Sequence, residues 1–216
     1  MKTTKLVATL AVCFLCACQS LKITHEWKAQ QNNDKAAYRK ILVLGLIPEK
    51  DRRIQQNMED HVAGDLTDLG YNATTSLKEF GPKAFDGMDE TTALAKLQNK
   101  GIDAVITIVL LNKVKERRYV PGQVTYAYGP MTNFWDYRSG LNNRILEPGY
   151  YVTNTNYFWE SNFFSLQDKQ LLYSVQTKSF DPKNSWSMGH EYGHAIVSAM
   201  LKKKVIANRR NEADPE

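Results

Sequence analysis

His190, Glu191 and His194 stand as His-Glu-Tyr-Gly-His near the end of the chain, and their types and spacing could do one specific kind of chemistry. Histidines four residues apart share a face of a helix and can bind one zinc ion, while the glutamate between them can act as general base on a metal-bound water. A catalytic zinc also needs a third protein ligand. After His194 the only glutamates are Glu212 and Glu216, in a charged tail, and of the 4 histidines the remaining two, His25 and His61, lie far upstream. At about 100° per residue, Met188, Tyr192, Ala195, Ile196, Ala199 and Met200 form one apolar sector of a helix, with His190 and His194 roughly opposite. The pattern predicts a terminal amphipathic helix whose solvent face carries the two histidines. No other catalytic set is visible: there is no G-x-S-x-G and no phosphate-binding glycine loop.

Cys18 is the second residue whose setting implies chemistry. Lys2 and Lys5 precede an apolar stretch from Leu6 to Leu15, and Leu15-Cys16-Ala17-Cys18 follows. A basic start, an apolar run of about ten residues and small residues before a cysteine make a secretory signal that ends in a lipobox. The run is shorter than the ~20 residues a spanning helix needs. The expectation is that residues 1–17 are removed and that Cys18 becomes the acylated first residue, with palmitate-type chains on its sulfur and amine. One acyl chain anchors marginally and two or three hold stably, at about 0.8 kcal/mol per buried methylene. The N-terminus resembles that of Gram-negative lipoproteins, and with Gln19 rather than aspartate after the cysteine that resemblance implies sorting to the outer membrane, lipid-anchored and facing the periplasm.

The 3 cysteines agree with this reading. Cys13 and Cys16 leave with the signal and Cys18 is acylated, so the mature domain folds on its core without a disulfide. At 216 residues, with 43% hydrophobic and 24% charged residues, the chain can bury one ordinary core. Loss of Lys2 and Lys5 lowers the formal charge from +5 to +3. Basic clusters at Lys113, Lys115, Arg117, Arg118 and at Lys202 to Arg210 could attract anionic headgroups, but solvated surface and a helix C-terminus account for them more simply. A periplasmic address argues against nucleic acid as a partner. No cofactor or metal is expected.

The elements that would position these residues follow from periodicity. Residues 18–37 are polar and predict a flexible tether. Ile41 to Ile47 is a continuous apolar run that suits a strand buried on both faces. A helix from about Asp51 to Leu69, with Gly70 as its stop, leads to a short strand within Asn72 to Leu77. Asp89 can cap a second helix that Gly101 closes, and Ala104 to Leu111 repeats the buried-strand signature. Tyr150 to Phe164 and Leu171 to Lys178 read as late antiparallel strands. A last helix spans about Ser185 to Lys204, with Asp181-Pro182 at its start. The fold class is therefore α/β: a single three-layer domain over residues 38–206 with a mixed sheet, a β-α-β-α-β start, antiparallel later strands and a C-terminal helix. Residues 207–216 form a charged tail.

More than half of the aromatic residues fall between Tyr119 and Phe164. This predicts an aromatic-rich insertion over residues 119–164. Rigid amphipathic side chains in a Gly/Asn-rich loop suit recognition, and Phe134, Trp135 and Tyr137 are the candidate partner face. Tyr151, Tyr157 and Trp159 fit packing on a sheet face equally well.

At the level of the motif, His190 to His194 resembles the zincin metallopeptidases. The extended metzincin pattern needs a glycine and a third histidine where this chain has Val197 and Met200. Over residues 38–206 the chain resembles bacterial lipoproteins with a TolB-N-terminal-like or CsgG-like α/β domain. The resemblance rests on Lys100-Gly101-Ile102-Asp103-Ala104-Val105, Arg118-Tyr119-Val120-Pro121-Gly122, Glu160 to Leu166, Lys169 to Thr177 and Phe180-Asp181-Pro182. It implies a non-catalytic binding or assembly module that works through protein contacts, with envelope proteins or further copies of itself as partners. It supplies no catalytic residues. The competing expectation is a zinc metallopeptidase using His190, Glu191 and His194.

Overall fold

A computed structural model describes residues 21–30, 38–83, 85–125, 133–142, 145–146 and 148–210. Its elements, in chain order, are β1 (Leu21–Lys28), β2 (Ile41–Leu46), α1 (Arg52–Asp68), β3 (Ala73–Thr75), α2 (Ser76–Phe80), α3 (Glu90–Asn99), β4 (Ala104–Val120), β5 (Val124–Thr125), α4 (Phe134–Asn142), β6 (Ile145–Leu146), β7 (Tyr150–Ser165), β8 (Gln170–Phe180) and α5 (Ser185–Lys202). Six strands form one mixed sheet in the order β1-β8-β7-β4-β2-β3. β2 runs parallel to both β3 and β4, and the β4-β7, β7-β8 and β8-β1 pairs are antiparallel.

The parallel half follows from residues that are apolar on both faces. Ile41 and Val43 enter the main core with α1 and α5, whereas Leu42 turns to the opposite face and meets Leu97 of α3, Ile102 and Val105. A strand with both faces covered has no polar alternation to show, which is why its sequence is a continuous apolar run. Asp89 caps α3 by accepting from the Thr92 N–H, and Gly101 closes it at a positive φ of 69°, where a side chain would be strained. The predicted α/β fold, with its mixed sheet, helices on both faces and C-terminal helix, is the observed one.

Three boundaries differ. Leu21–Lys28 lies within the predicted tether and is an edge strand paired antiparallel to β8. It buries only Leu21, but Leu21, Ile23 and Trp27 alternate with Lys22, Thr24, Glu26 and Lys28, a period-2 strand pattern that the tether expectation passed over. Ladder hydrogen bonds hold it, together with Glu26, which accepts from the Tyr173 hydroxyl and pairs with Lys203 Nζ at 2.9 Å. The predicted insertion 119–164 also overlaps a central strand. β7 lies between β4 and β8, with Trp159 and Phe163 in the core. Finally, the last helix starts at Ser185 as predicted, after Asn184, whose side chain forms a capping box with Ser187, so that Asp181-Pro182 precedes it, and it ends at Lys202 rather than Lys204. Cys18, residues 31–37 and 211–216 lie outside the described residues.

Candidate functional site

The His-Glu-Tyr-Gly-His segment lies within α5, and its glycine, Gly193, together with Gly189 just before it, explains its place there. Gly189 and Gly193, four residues apart, both face α1. A Cβ on Gly189 would stand 2.7 Å from the Asn57 carbonyl oxygen, and one on Gly193 would stand 2.9 Å from Asp65 Oδ2 and 3.1 Å from the His61 backbone. Only glycine lets the two helices come this close. Between them Tyr192 is fully buried, with its hydroxyl 2.7 Å from Ser161 Oγ on β7. Burial pushes the Tyr192 phenol well above its ordinary range.

His190 and His194 are exposed, on the face the helical periodicity assigns to them. His190 stacks on Trp186, with ring centroids 5.4 Å apart, and meets His61 of α1 edge-on at 5.3 Å. Sequence reasoning did not bring His61 to this helix. Burial, followed by the like charge of His190, holds the His61 pKa below its usual value against the pull of Asp65 and Asp60. Burial raises the Asp65 pKa, and His194, His190 and His61 oppose that rise. Among the described residues no group of three or more His, Cys, Asp or Glu side chains could hold a metal ion. Glu191 and His194 instead line an open groove of ≈ 1040 Å³ between α5 and β1, whose apolar floor includes Leu21, Ile23 and Phe180.

A second polar centre was invisible in the sequence. Glu59 on α1 is wholly buried. Its Oε1 accepts from the Gly45 N–H at 2.9 Å, Gln55 Nε2 at 2.8 Å and Ser76 Oγ at 2.7 Å, and its Oε2 accepts from the Leu77 N–H at 3.1 Å. One carboxylate thus ties β2, α1 and α2 together. Gly45 is required beside it, because a Cβ there would fall 2.6 Å from Gln55 Cγ. Every polar atom it meets belongs to the fold, and such satisfied buried networks specify packing rather than reaction. The signal that could have found it is the placement of Gln55 and Glu59 on the same helical face as Met58 and Val62.

Six of the nine large exposed aromatic residues among the described residues gather elsewhere. β4 and β7 stay paired from Ala104↔Ser165 to Val120↔Tyr150. β2 pairs with β4 only as far as Val109, and β8 with β7 only as far as Asn156. Beyond Val114 and Asn156, among the described residues, the two strands pair only with each other and form an arm. Asp181 closes its base, accepting from the Thr155 N–H and donating its own N–H to the Thr155 carbonyl, both at 2.9 Å. Tyr119, Tyr150 and Tyr151 on the arm are exposed. Tyr119 and Tyr151 face one another across the ladder at 5.1 Å, and the Arg117 guanidinium lies 3.9 Å from the centre of the Tyr151 ring. The short β5-β6 ribbon and α4 are inserted between the ends of these strands. The three predicted contact residues lie in the first turn of α4. Phe134 is 68% exposed, Trp135 66%, and Tyr137 is exposed as well.

No family model matches this chain, and no curated protein matches it in sequence. Solved structures show distant similarity. The PelC dodecamer from Paraburkholderia phytofirmans aligns with a TM-score of 0.41 at 9% identity, covering 82% of this chain and 94% of that one. Lipoprotein GNA1162 from Neisseria meningitidis aligns with a TM-score of 0.38 at 14% identity, covering 77% and 98%. A PDZ domain protein from Parabacteroides distasonis aligns with a TM-score of 0.36 at 12% identity, covering 84% of this chain and 35% of that one.

Proposed function

We propose that this chain is a bacterial envelope lipoprotein, held in the outer membrane by acyl chains on Cys18 and facing the periplasm. In this reading it acts as a non-catalytic binding and assembly module among envelope components. It works by contact, and its contact surface is the arm. The observation that carries the reading is the division of labour among its distinctive residues. The segment that spells a zinc-peptidase motif uses its glycine and its tyrosine, with the preceding Gly189, to pack α5 against α1 and β7. Of the nine large exposed aromatics among the described residues, six (Tyr119, Tyr150, Tyr151, Phe134, Trp135 and Tyr137) lie on the arm and on α4, and Trp27, Phe180 and Trp186 lie elsewhere. Exposed clusters of large aromatics mark interaction surfaces.

The zinc content of the purified chain tests the non-catalytic part. The expected result is folded protein without stoichiometric zinc, with the same circular dichroism spectrum in wild type and in His190→Ala/His194→Ala. Stoichiometric zinc that disappears in the double variant, together with peptide hydrolysis lost in Glu191→Gln, would overturn it in favour of the metallopeptidase.

A further inference from the structure

Leu21, three residues after the predicted anchor, and the base of the arm lie at the same end of the sheet. Leu21 pairs with Ser179, Ser179 with Tyr157, and Tyr157 with Lys113. The rung at which the chain enters the sheet therefore crosses it at the base of the arm. From that rung β1 runs back into the domain, while β4 runs outward to Val120. Three peptide steps separate Cys18 from Leu21, and a step spans about 3.8 Å, so Cys18 stays within about 11 Å of Leu21. From Lys113 the arm continues to Val120, about 23 Å at ~3.3 Å per residue. The arm outreaches the spacer. A lipid seated in a bilayer at Cys18 therefore leaves the far end of the arm within reach of that same bilayer.

The chemistry of the arm suits that contact. Lys115, Arg117 and Arg118 are exposed against one carboxylate, Glu116, and the facing segment from Tyr150 to Asn156 carries no charge. Cations favour an anionic phospholipid surface. Tyrosine and tryptophan favour the headgroup level, where one end of the ring stays wet and the rest is apolar. Phe134 and Trp135 enter the chain beyond the arm's last paired residues.

We infer that the arm docks on the anionic phospholipid surface of the membrane that holds the anchor, with Tyr150, Tyr151 and Trp135 at headgroup level. This names the partner of the contact surface proposed above, and it rests on acylation of Cys18. Docking fixes the orientation of the domain: a two-residue spacer and an inserted arm are two attachments at one end, in place of a domain swinging on a long tether.

The test uses the full-length acylated protein reconstituted in phosphatidylethanolamine–phosphatidylglycerol vesicles doped with phospholipids brominated on the acyl chains. Tryptophan quenching is compared between wild type and Trp135→Phe. The expected result is a quenched component that Trp135→Phe removes. Arg117→Glu/Arg118→Glu should lower the docked-to-free ratio on the order of tenfold. An acylated protein whose quenching is unchanged by Trp135→Phe overturns docking and leaves the anchor reading standing. A mature protein without acyl mass on Cys18 overturns the anchor reading itself. Cross-linking of the first turn of α4 to a second copy or to another envelope protein, in place of lipid, also overturns docking.

Discussion

β4 and β7 are each two different objects along their length. Their inner halves, Ala104 to Leu110 against Trp159 to Ser165, lie in the middle of a six-stranded sheet with helices on both faces. Their outer halves, Lys115 to Val120 against Tyr150 to Thr155, share one ladder and touch no other strand of the sheet. The hydrogen-bond pattern continues across the boundary, with an irregularity between Leu110 and Asn112. What changes is the side chains. Ala-Val-Ile-Thr-Ile-Val-Leu gives way to Lys-Glu-Arg-Arg-Tyr-Val. Backbone pairing alone therefore does not distinguish core from arm. Burial stabilises the inner half, and exposed ring and cation contacts are what the outer half has to offer.

The largest expected contrast is between two aromatic residues of the same strand. Trp159 is fully buried, stacked on Tyr157 and edge-on to Tyr192, so Trp159→Ala should cost about 3–5 kcal/mol. Tyr151→Ala removes an exposed ring and its Arg117 contact and should cost about 0.5–1 kcal/mol. Urea unfolding of both variants measures the difference, and equal losses would erase the distinction between core and arm.

Glu59→Ala comes next, because it strands the Gly45 and Leu77 N–H groups and the Ser76 hydroxyl in the interior. A loss of about 3 kcal/mol is expected. It extends the comparison to a polar interior group, and a loss within experimental noise would show that the buried network contributes little.

Gly193→Ala forces a Cβ against the Asp65 carboxylate and the His61 backbone and should cost about 1–3 kcal/mol. His194→Ala, one residue away on the exposed face, should stay within about 0.5 kcal/mol. Thermal melts of the pair decide whether the motif's glycine or its histidines matter to the fold.

The smallest effect is the pH dependence. The folded His61 pKa lies below the ordinary histidine value of 6.5, so the unfolded chain takes up that proton first. Stability should fall as pH drops from about 6.5 through the folded value. Asp65, with its folded pKa raised from 3.8, acts in the opposite sense, and its strain is relieved as pH falls through its own folded value. His61→Gln should flatten the upper slope in melts taken across this range.

The parallel half of the sheet was legible because Ile41 to Ile47 and Ala104 to Leu111 are buried on both faces and have no competing reading. α3 was legible from Asp89 and Gly101, which have the types that a helix start and stop require. β1 carried a short signal, the alternation of Leu21, Ile23 and Trp27 with Lys22, Thr24, Glu26 and Lys28, but its position in a polar stretch made a tether the simpler reading; its order comes from ladder bonds and from Glu26 with Lys203. The exposure of His190 and His194 followed from the helical wheel. Their meeting with His61 depends on which helix packs against which, and no local pattern encodes that; the burial of Glu59 had a local signal in the face it shares with Met58 and Val62, but its partners on β2 and α2 had none. Phe134, Trp135 and Tyr137 were picked out by composition alone. The arm that leads to them required the register of β4 on β7.

Membrane fractionation of Cys18→Ala tests the central claim most directly. The wild-type protein should remain in the outer-membrane fraction after an alkaline wash and release acyl chains on hydrolysis. Cys18→Ala should appear in the soluble fraction with an intact, folded domain. Wild-type and variant protein found in the same fraction, with no acyl group on the mature N-terminus, would contradict the account.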